Sequence, residues 1–105
     1  MHISEHICWD QVIDQYKKIL SRDPNNSIVN YRLGVIYYNR EEYNTSHQYL
    51  EKVVNLYPFD LDGLLMLGWC KLRLRQYREA TVLFQRSLMH TPGNESALEG
   101  LSLIN

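Results

Sequence analysis

Apolar positions return along this chain every three or four residues, in bursts separated by short polar breaks. The stretch SIVNYRLGVIYYN carries Val29, Leu33, Ile36 and Tyr37 in such a series, then yields to the polar triplet Arg40-Glu41-Glu42. YNTSHQYLEKVVNLY follows with Leu50, Val53, Val54 and Tyr57, and the next stretch holds Leu64, Leu67, Gly68 and Lys71. After the break Leu74-Arg75-Gln76 come Ala80, Leu83, Phe84 and Leu88. Spacings of three and four sustained over a dozen residues describe amphipathic helices. The periodicity predicts helices over residues 5–21, 27–39, 43–56, 61–73, 77–90 and 95–104. Breaks of about three residues fold neighbouring helices into antiparallel hairpins.

The punctuation between hairpins repeats. The chain's prolines are Pro24, Pro58 and Pro92, and two residues beyond them stand Asn26, Asp60 and Asn94, all at a spacing of 34 residues. Proline stops the preceding helix, and the short polar side chain then accepts an amide hydrogen bond left open by the next one. The pairs Leu33-Gly34 and Leu67-Gly68 keep the same spacing of 34. A glycine there lets the second helix of each hairpin come close to the first. In a lone helix that residue would cost roughly 1 kcal/mol, which close packing offsets.

With these positions in view, the chain resembles the tetratricopeptide-repeat family, whose units are 34-residue helix pairs. The unit from residues 27 to 60 offers Leu33, Gly34, Tyr37, Tyr43, Leu50 and Pro58 to the family's pattern. It departs at Asn30, where a large residue is usual, and at Ser46, where alanine is usual. The unit from 61 to 94 offers Leu64, Leu67, Gly68, Tyr77, Ala80, Phe84, Ser87 and Pro92, and departs at Lys71. Residues 5–26 match the second helix of a partial unit, through Trp9, Val12, Tyr16, Ile19 and Pro24. Residues 95–105 match the opening of another, with Ser102 where glycine stood. The resemblance implies one all-α domain over residues 1–105. Its about six helices would form a right-handed superhelical stack of antiparallel pairs, a solenoid. The last helix is expected to cover the flank of the second hairpin with Ala97, Leu98, Leu101 and Ile104. The first carries Ile7, Trp9, Val12, Ile13, Tyr16, Ile19 and Leu20, more apolar surface than one neighbour readily covers. A monomer is favoured, and a homodimer through that surface is the alternative.

Composition narrows the function. The 105 residues carry a formal charge of -1, with 45% apolar and 22% charged side chains, which fits one soluble globular unit without a polyanionic partner. No apolar run reaches membrane-spanning length, and the N-terminus lacks a basic region followed by an apolar core. The expected setting is therefore cytoplasmic, with no membrane partner and with Cys8 and Cys70 reduced, acting as small hydrophobes. His2 and His6 have helical spacing but no acidic partner at a ligand distance, and His47 and His90 stand alone. Glu41 and Glu42 fall at a helix start, where carboxylates favour the dipole. No phosphate-binding glycine loop or paired-histidine zinc motif occurs. The reading is non-enzymatic, with no catalytic residue, no metal and no cofactor. Lys71, Arg73, Arg75 and Arg78 fall within eight residues, so a nucleic-acid-binding helical repeat is one alternative. Against it, 12 acidic residues outnumber 11 basic ones, and the first two cations belong to a helix C-terminus.

The resemblance points instead to a protein-interaction module, a scaffold or adaptor. In the family, first helices line a concave groove that holds a segment of a partner. Carried onto this chain, that face is Ile28, Tyr31, Val35 and Tyr38, then Leu65, Trp69, Leu72 and Arg73, with Glu99 and Leu103 from the last helix. Bulky apolar and aromatic side chains on such a face suit recognition, with Trp69 as the expected central anchor. Family members that clamp a chaperone's C-terminal carboxylate place asparagine just after the glycine. Here that position holds Val35 and Trp69, and Tyr31 and Leu65 replace the accompanying cations. These departures argue against a chaperone-tail receptor and for a protein or peptide with an apolar or amphipathic segment. The remaining alternative is a purely structural segment of a longer solenoid.

Overall fold

The computed structural model describes residues 8–105. His2, His6, Ile7 and the expected start of the first helix at residue 5 lie outside the described residues. Among the described residues the chain forms six helices and no strand: α1 (Trp9–Arg22), α2 (Ser27–Asn39), α3 (Tyr43–Leu56), α4 (Leu61–Arg73), α5 (Tyr77–His90) and α6 (Glu95–Ile104). From α2 onward these bounds coincide with the hydrophobic periodicity; α1 ends at Arg22, one residue beyond its expected end.

The proline turns work as their residues dictate. Asn26 Oδ1 accepts from Val29 N at 3.0 Å, Asp60 Oδ2 from Gly63 N at 3.1 Å, and Asn94 Oδ1 from Ala97 N at 2.9 Å. The turns inside the hairpins are also alike. Glu41 and Arg75 both sit at a left-handed φ of 62°. Glu42 N then donates to Tyr37 O at 2.9 Å and Gln76 N to Lys71 O at 2.9 Å, which ends α2 and α4 with the same Schellman motif.

Consecutive helices pack side by side, with contacts between α2 and α3 pairing ascending with descending numbers. Tyr38 meets Tyr43, and Gly34 meets Ser46 and Leu50. A Cβ on Gly34 would lie 2.5 Å from Leu50 Cγ, and one on Gly68 2.8 Å from Phe84 Cε1, so both close approaches need glycine. Ser46 donates its hydroxyl to Gly34 O at 2.6 Å, which accounts for a polar residue at a fully buried site. Asn30, also buried, donates Nδ2 to Pro24 O at 3.1 Å and to Asn26 O at 2.9 Å, tying α2 to the turn before it.

The core runs through the stack in overlapping groups. Ile13, Val29, Leu33 and Tyr37 join α1 to α2. Leu50, Val54, Leu64, Leu67, Cys70 and Leu83 join α3, α4 and α5. Ala80, Phe84 and Ala97 join α5 to α6. The expected covering face of α6 needs one correction: Leu98 is 48% exposed, whereas Ala97, Leu101 and Ile104 pack inward. Gly100, not singled out from the sequence, is buried against the Phe84 ring, and its lack of a side chain lets α6 sit down on α5. That seating turns Leu98 outward. Along α1, Ile13 is buried, while Trp9 and Ile19 remain 48% and 42% exposed.

Candidate functional site

The ten inner-face positions separate into distinct neighbourhoods. Tyr38 and Arg73 do meet: Arg73 Nε donates to the Tyr38 hydroxyl at 3.2 Å, a bond that also raises the guanidinium's pKa. Tyr38 is half-buried, its ring edge-on to Tyr43 at 5.2 Å, and Val35 is half-buried on the same helix. Leu65, Trp69 and Leu72 pack instead against Ala80, Phe84 and Ala97. The Trp69 indole donates Nε1 to Ser96 Oγ at 2.8 Å and sets its ring edge-on to Phe84 at 5.5 Å. Trp69 is thus committed to holding α6 on α4, and its donor is already used. Glu99 and Leu103 stand exposed on α6.

Ile28 and Tyr31 belong to a different feature. They line an open cleft of about 870 Å³ between the start of α2 and the α3–α4 turn. Its other wall comes from Leu56, Tyr57 and Phe59, with Asp60 and Asp62 at the start of α4. Phe59 is 70% exposed, Ile28 63% and Tyr57 55%, an unusual concentration of large apolar side chains in water. The Phe59 ring rests edge-on against His90 at 5.2 Å, so it is propped from one side. In the sequence, Tyr57-Pro58-Phe59 reads as punctuation between helices. The signal was present: the matching turns, Asp23-Pro24-Asn25 and Thr91-Pro92-Gly93, flank proline with no aromatic residue.

The cleft has a sign. Burial, then Asp62, then Asp60 push the Tyr31 phenol above its ordinary pKa, so it stays a neutral hydroxyl beside two carboxylates. Neither aspartate has an ion-pair partner among the described residues. Arg32 lines the same cleft, but its Nη1 donates to the Tyr16 hydroxyl on α1 at 3.4 Å.

The basic stretch from 71 to 78 does not form a stripe. Lys71 Nζ is paired with Glu51 Oε1 at 2.9 Å and its side chain is only 12% exposed. Arg73 is held by Tyr38, Arg75 occupies the left-handed turn, and Arg78 shares a cleft of about 560 Å³ with Glu79 and Glu51. Cations interleaved with carboxylates make a poor track for a phosphate backbone. Among the described residues no group of three histidine, cysteine, aspartate or glutamate side chains could hold a metal ion. No helix there is long and apolar enough to cross a membrane. Cys70 is buried, its Sγ donating to Tyr43 O at 3.2 Å, and burial raises its thiol pKa.

A stack of helix hairpins with three alike proline turns defines an all-α helical repeat solenoid. The tetratricopeptide-repeat family model matches residues 15–48, a window one repeat long. Solved structures extend the likeness across nearly the whole chain. The first tetratricopeptide domain of Spaghetti (RPAP3), bound to the HSP90 peptide SRMEEVD, superposes with a TM-score of 0.85. It is 23% identical, over 91% of this chain and 76% of that one. MamA gives a TM-score of 0.86 at 27% identity over 90% of this chain, which spans only 56% of the MamA chain. The second such domain of human RPAP3, in complex with the HSP70 peptide SGPTIEEVD, gives 0.83 at 21% identity, over 91% of this chain and 80% of that one. One repeat of the chain thus matches the tetratricopeptide-repeat model, and the chain as a whole shares the fold of solved tetratricopeptide domains.

Proposed function

We infer that the chain is a non-enzymatic interaction module of the cytoplasm that binds a peptide or helix of a partner protein. The observation that carries this reading is the open cleft, where Ile28, Tyr57 and Phe59 stand together in water beside the inner-face residue Tyr31. Apolar surface concentrated in a concavity favours association, because covering it removes it from water without reorganising a core. Two structural neighbours hold chaperone peptides, which supports a peptide as the kind of ligand. The chemistry of this chain's inner face supports an apolar or amphipathic segment in place of a chaperone carboxylate, since Val35 and Trp69 offer no amide for one. The module acts as a monomer in this reading.

A second reading, a segment that stacks on further helices, draws on Leu98. Its counterpart one repeat earlier, Leu64, is fully buried, whereas Leu98 is 48% exposed. Selection of a phage-displayed library of random peptides on the purified chain separates the two, with the contact site mapped by backbone amide shifts. Enriched peptides that perturb α2, the α3–α4 turn and α4 are the expected result. A chain that enriches no peptide above the bare support is a stacking segment, and the module reading fails.

A further inference from the structure

Resting on the peptide-binding reading, we propose that the cleft between α2 and the α3–α4 turn takes a partner segment in which a bulky apolar side chain stands next to a lysine or arginine. The apolar half of the match is supplied by Ile28 and Phe59, which come from two separate elements and are both more exposed than half. The cationic half is supplied by Asp60 and Asp62. Asp60 uses one oxygen, Oδ2, to cap α4 through Gly63 N, and its other oxygen makes no hydrogen bond among the described residues. Asp62 follows in the first turn of α4, and neither carboxylate is neutralised by an ion pair among the described residues. The one cation lining the cleft among the described residues, Arg32, donates Nη1 to the Tyr16 hydroxyl of α1. The Tyr31 phenol, between these groups, feels both aspartates as negative charge.

Charge complementarity decides the occupant. Two unpaired carboxylates at the edge of an apolar concavity attract a cation and repel an acidic segment. A ligand as acidic as the peptide SRMEEVD held by a structural neighbour would bring like charge to this cleft. An apolar side chain between Ile28 and Phe59 supplies the contact area, and the adjacent cation fixes direction and excludes acidic competitors.

The test uses the whole chain, a phage-displayed library of random twelve-residue peptides, and the variants Asp62→Lys, Ile28→Ser and Arg73→Ala. All three replace exposed side chains, and far-UV circular dichroism confirms that each variant folds. Peptides selected on the parent chain are expected to carry an apolar residue within two positions of Lys or Arg. They should bind Asp62→Lys and Ile28→Ser about tenfold more weakly, and be weakened far less by Arg73→Ala. A fresh selection on Asp62→Lys should turn toward acid-bearing peptides. Selected peptides that are neutral or acidic overturn the proposal. So do peptides that ignore both cleft variants but weaken with Arg73→Ala, which would leave the module reading standing with its site elsewhere. A concentration-dependent dimer of the parent chain, abolished by Ile28→Ser, would assign the cleft to a second copy and also overturn it. Failure to enrich any peptide removes the module reading, and this proposal with it.

Discussion

In the hairpin of α2 and α3, Gly34 faces Leu50, and Tyr37 stacks on Tyr49 with centroids 5.7 Å apart. In the hairpin of α4 and α5 the matching positions hold Gly68 against Phe84, with Lys71 paired to Glu51 and Leu83 where Tyr49 stood. The backbone devices are the same in both: a side-chain cap after proline, a glycine at the close approach and a left-handed residue in the turn. The fillings differ in polarity and shape. Backbone hydrogen bonds and φ values accept few residue types, whereas a cavity accepts any set of side chains that fills it and satisfies its polar atoms.

The largest difference between the hairpins should appear when these fillings are removed. Phe84 is fully buried between Gly68 and Gly100 and packs edge-on with Trp69, so both α4 and α6 rest on it. Phe84→Ala is expected to cost about 3–5 kcal/mol, and Leu50→Ala about 2–4 kcal/mol because the smaller side chain leaves the smaller void. Urea unfolding of both variants measures this. A loss at Phe84→Ala under about 2 kcal/mol would mean that α6 contributes little to the Phe84 site.

Asn30 and Leu64 offer a second contrast at one repeat position. Leu64 is fully buried among apolar neighbours, whereas Asn30 spends its amide on the carbonyls of Pro24 and Asn26. Asn30→Ala should cost roughly 1–3 kcal/mol, since the two side-chain hydrogen bonds that tie α2 to the preceding turn are lost. Asn30→Leu, which copies the second hairpin, should not restore the loss in thermal unfolding. A variant as stable as the parent would show the polar anchor to be dispensable.

What could be read beforehand follows the same division. Prolines, caps and the 3.6-residue period are local signals, and they placed α2 to α6 and the caps Asn26, Asp60 and Asn94 from the chain alone. Asn30 counted only as a departure from a family pattern, because its partners lie in the preceding turn and depend on how α2 leaves it. In the sequence Trp69 reads as a free anchor because nothing local announces Ser96 or the small Gly100 that lets α6 dock over Phe84. Phe59 and Tyr57 were legible by comparison among the three proline turns, yet their exposure depends on where the α3–α4 turn lies relative to Ile28. The left-handed turn residues were hidden because neither turn contains the glycine that usually marks one.

Those turns should be where the hairpins behave alike. Holding a non-glycine residue at φ 62° costs about 1–2 kcal/mol. Glycine removes that strain but adds freedom to the unfolded chain, offsetting about 0.4–1 kcal/mol. Glu41→Gly and Arg75→Gly should therefore each raise stability by roughly 0.5–1 kcal/mol, by the same amount within error. Differential scanning calorimetry of the two variants and their double tests this, and unequal gains would break the equivalence of the turns.

The smallest effect concerns two pairs that occupy equivalent places, Lys17 with Tyr37 and Glu51 with Lys71, each offset by 34 residues. In the first, the Lys17 ammonium stands 5.9 Å from the Tyr37 ring centroid. In the second, the hydrogen bond from Lys71 draws the Glu51 carboxyl below its ordinary value of 4.5, burial opposes this, and His47 at 3.2 Å adds a smaller pull. A carboxyl whose pKa is lowered by folding stabilises the fold above its unfolded value and loses that contribution as pH falls through the folded one. The Glu51 side chain is 42% exposed, so solvent screening holds the contribution under about 1 kcal/mol. Lys17 runs the other way: Tyr37 raises its pKa above 10.5, so its contribution is intact at acid and neutral pH and is lost only as pH climbs through the raised value. Stability measured in urea from pH 7 down to pH 3 should thus fall less steeply in Glu51→Gln than in the parent, with the divergence beginning below about pH 4.5. Lys17→Met should keep the parent's acid slope. An acid limb unchanged by Glu51→Gln would mean that the Glu51–Lys71 contact is no stronger in the folded chain than the same charges are in water.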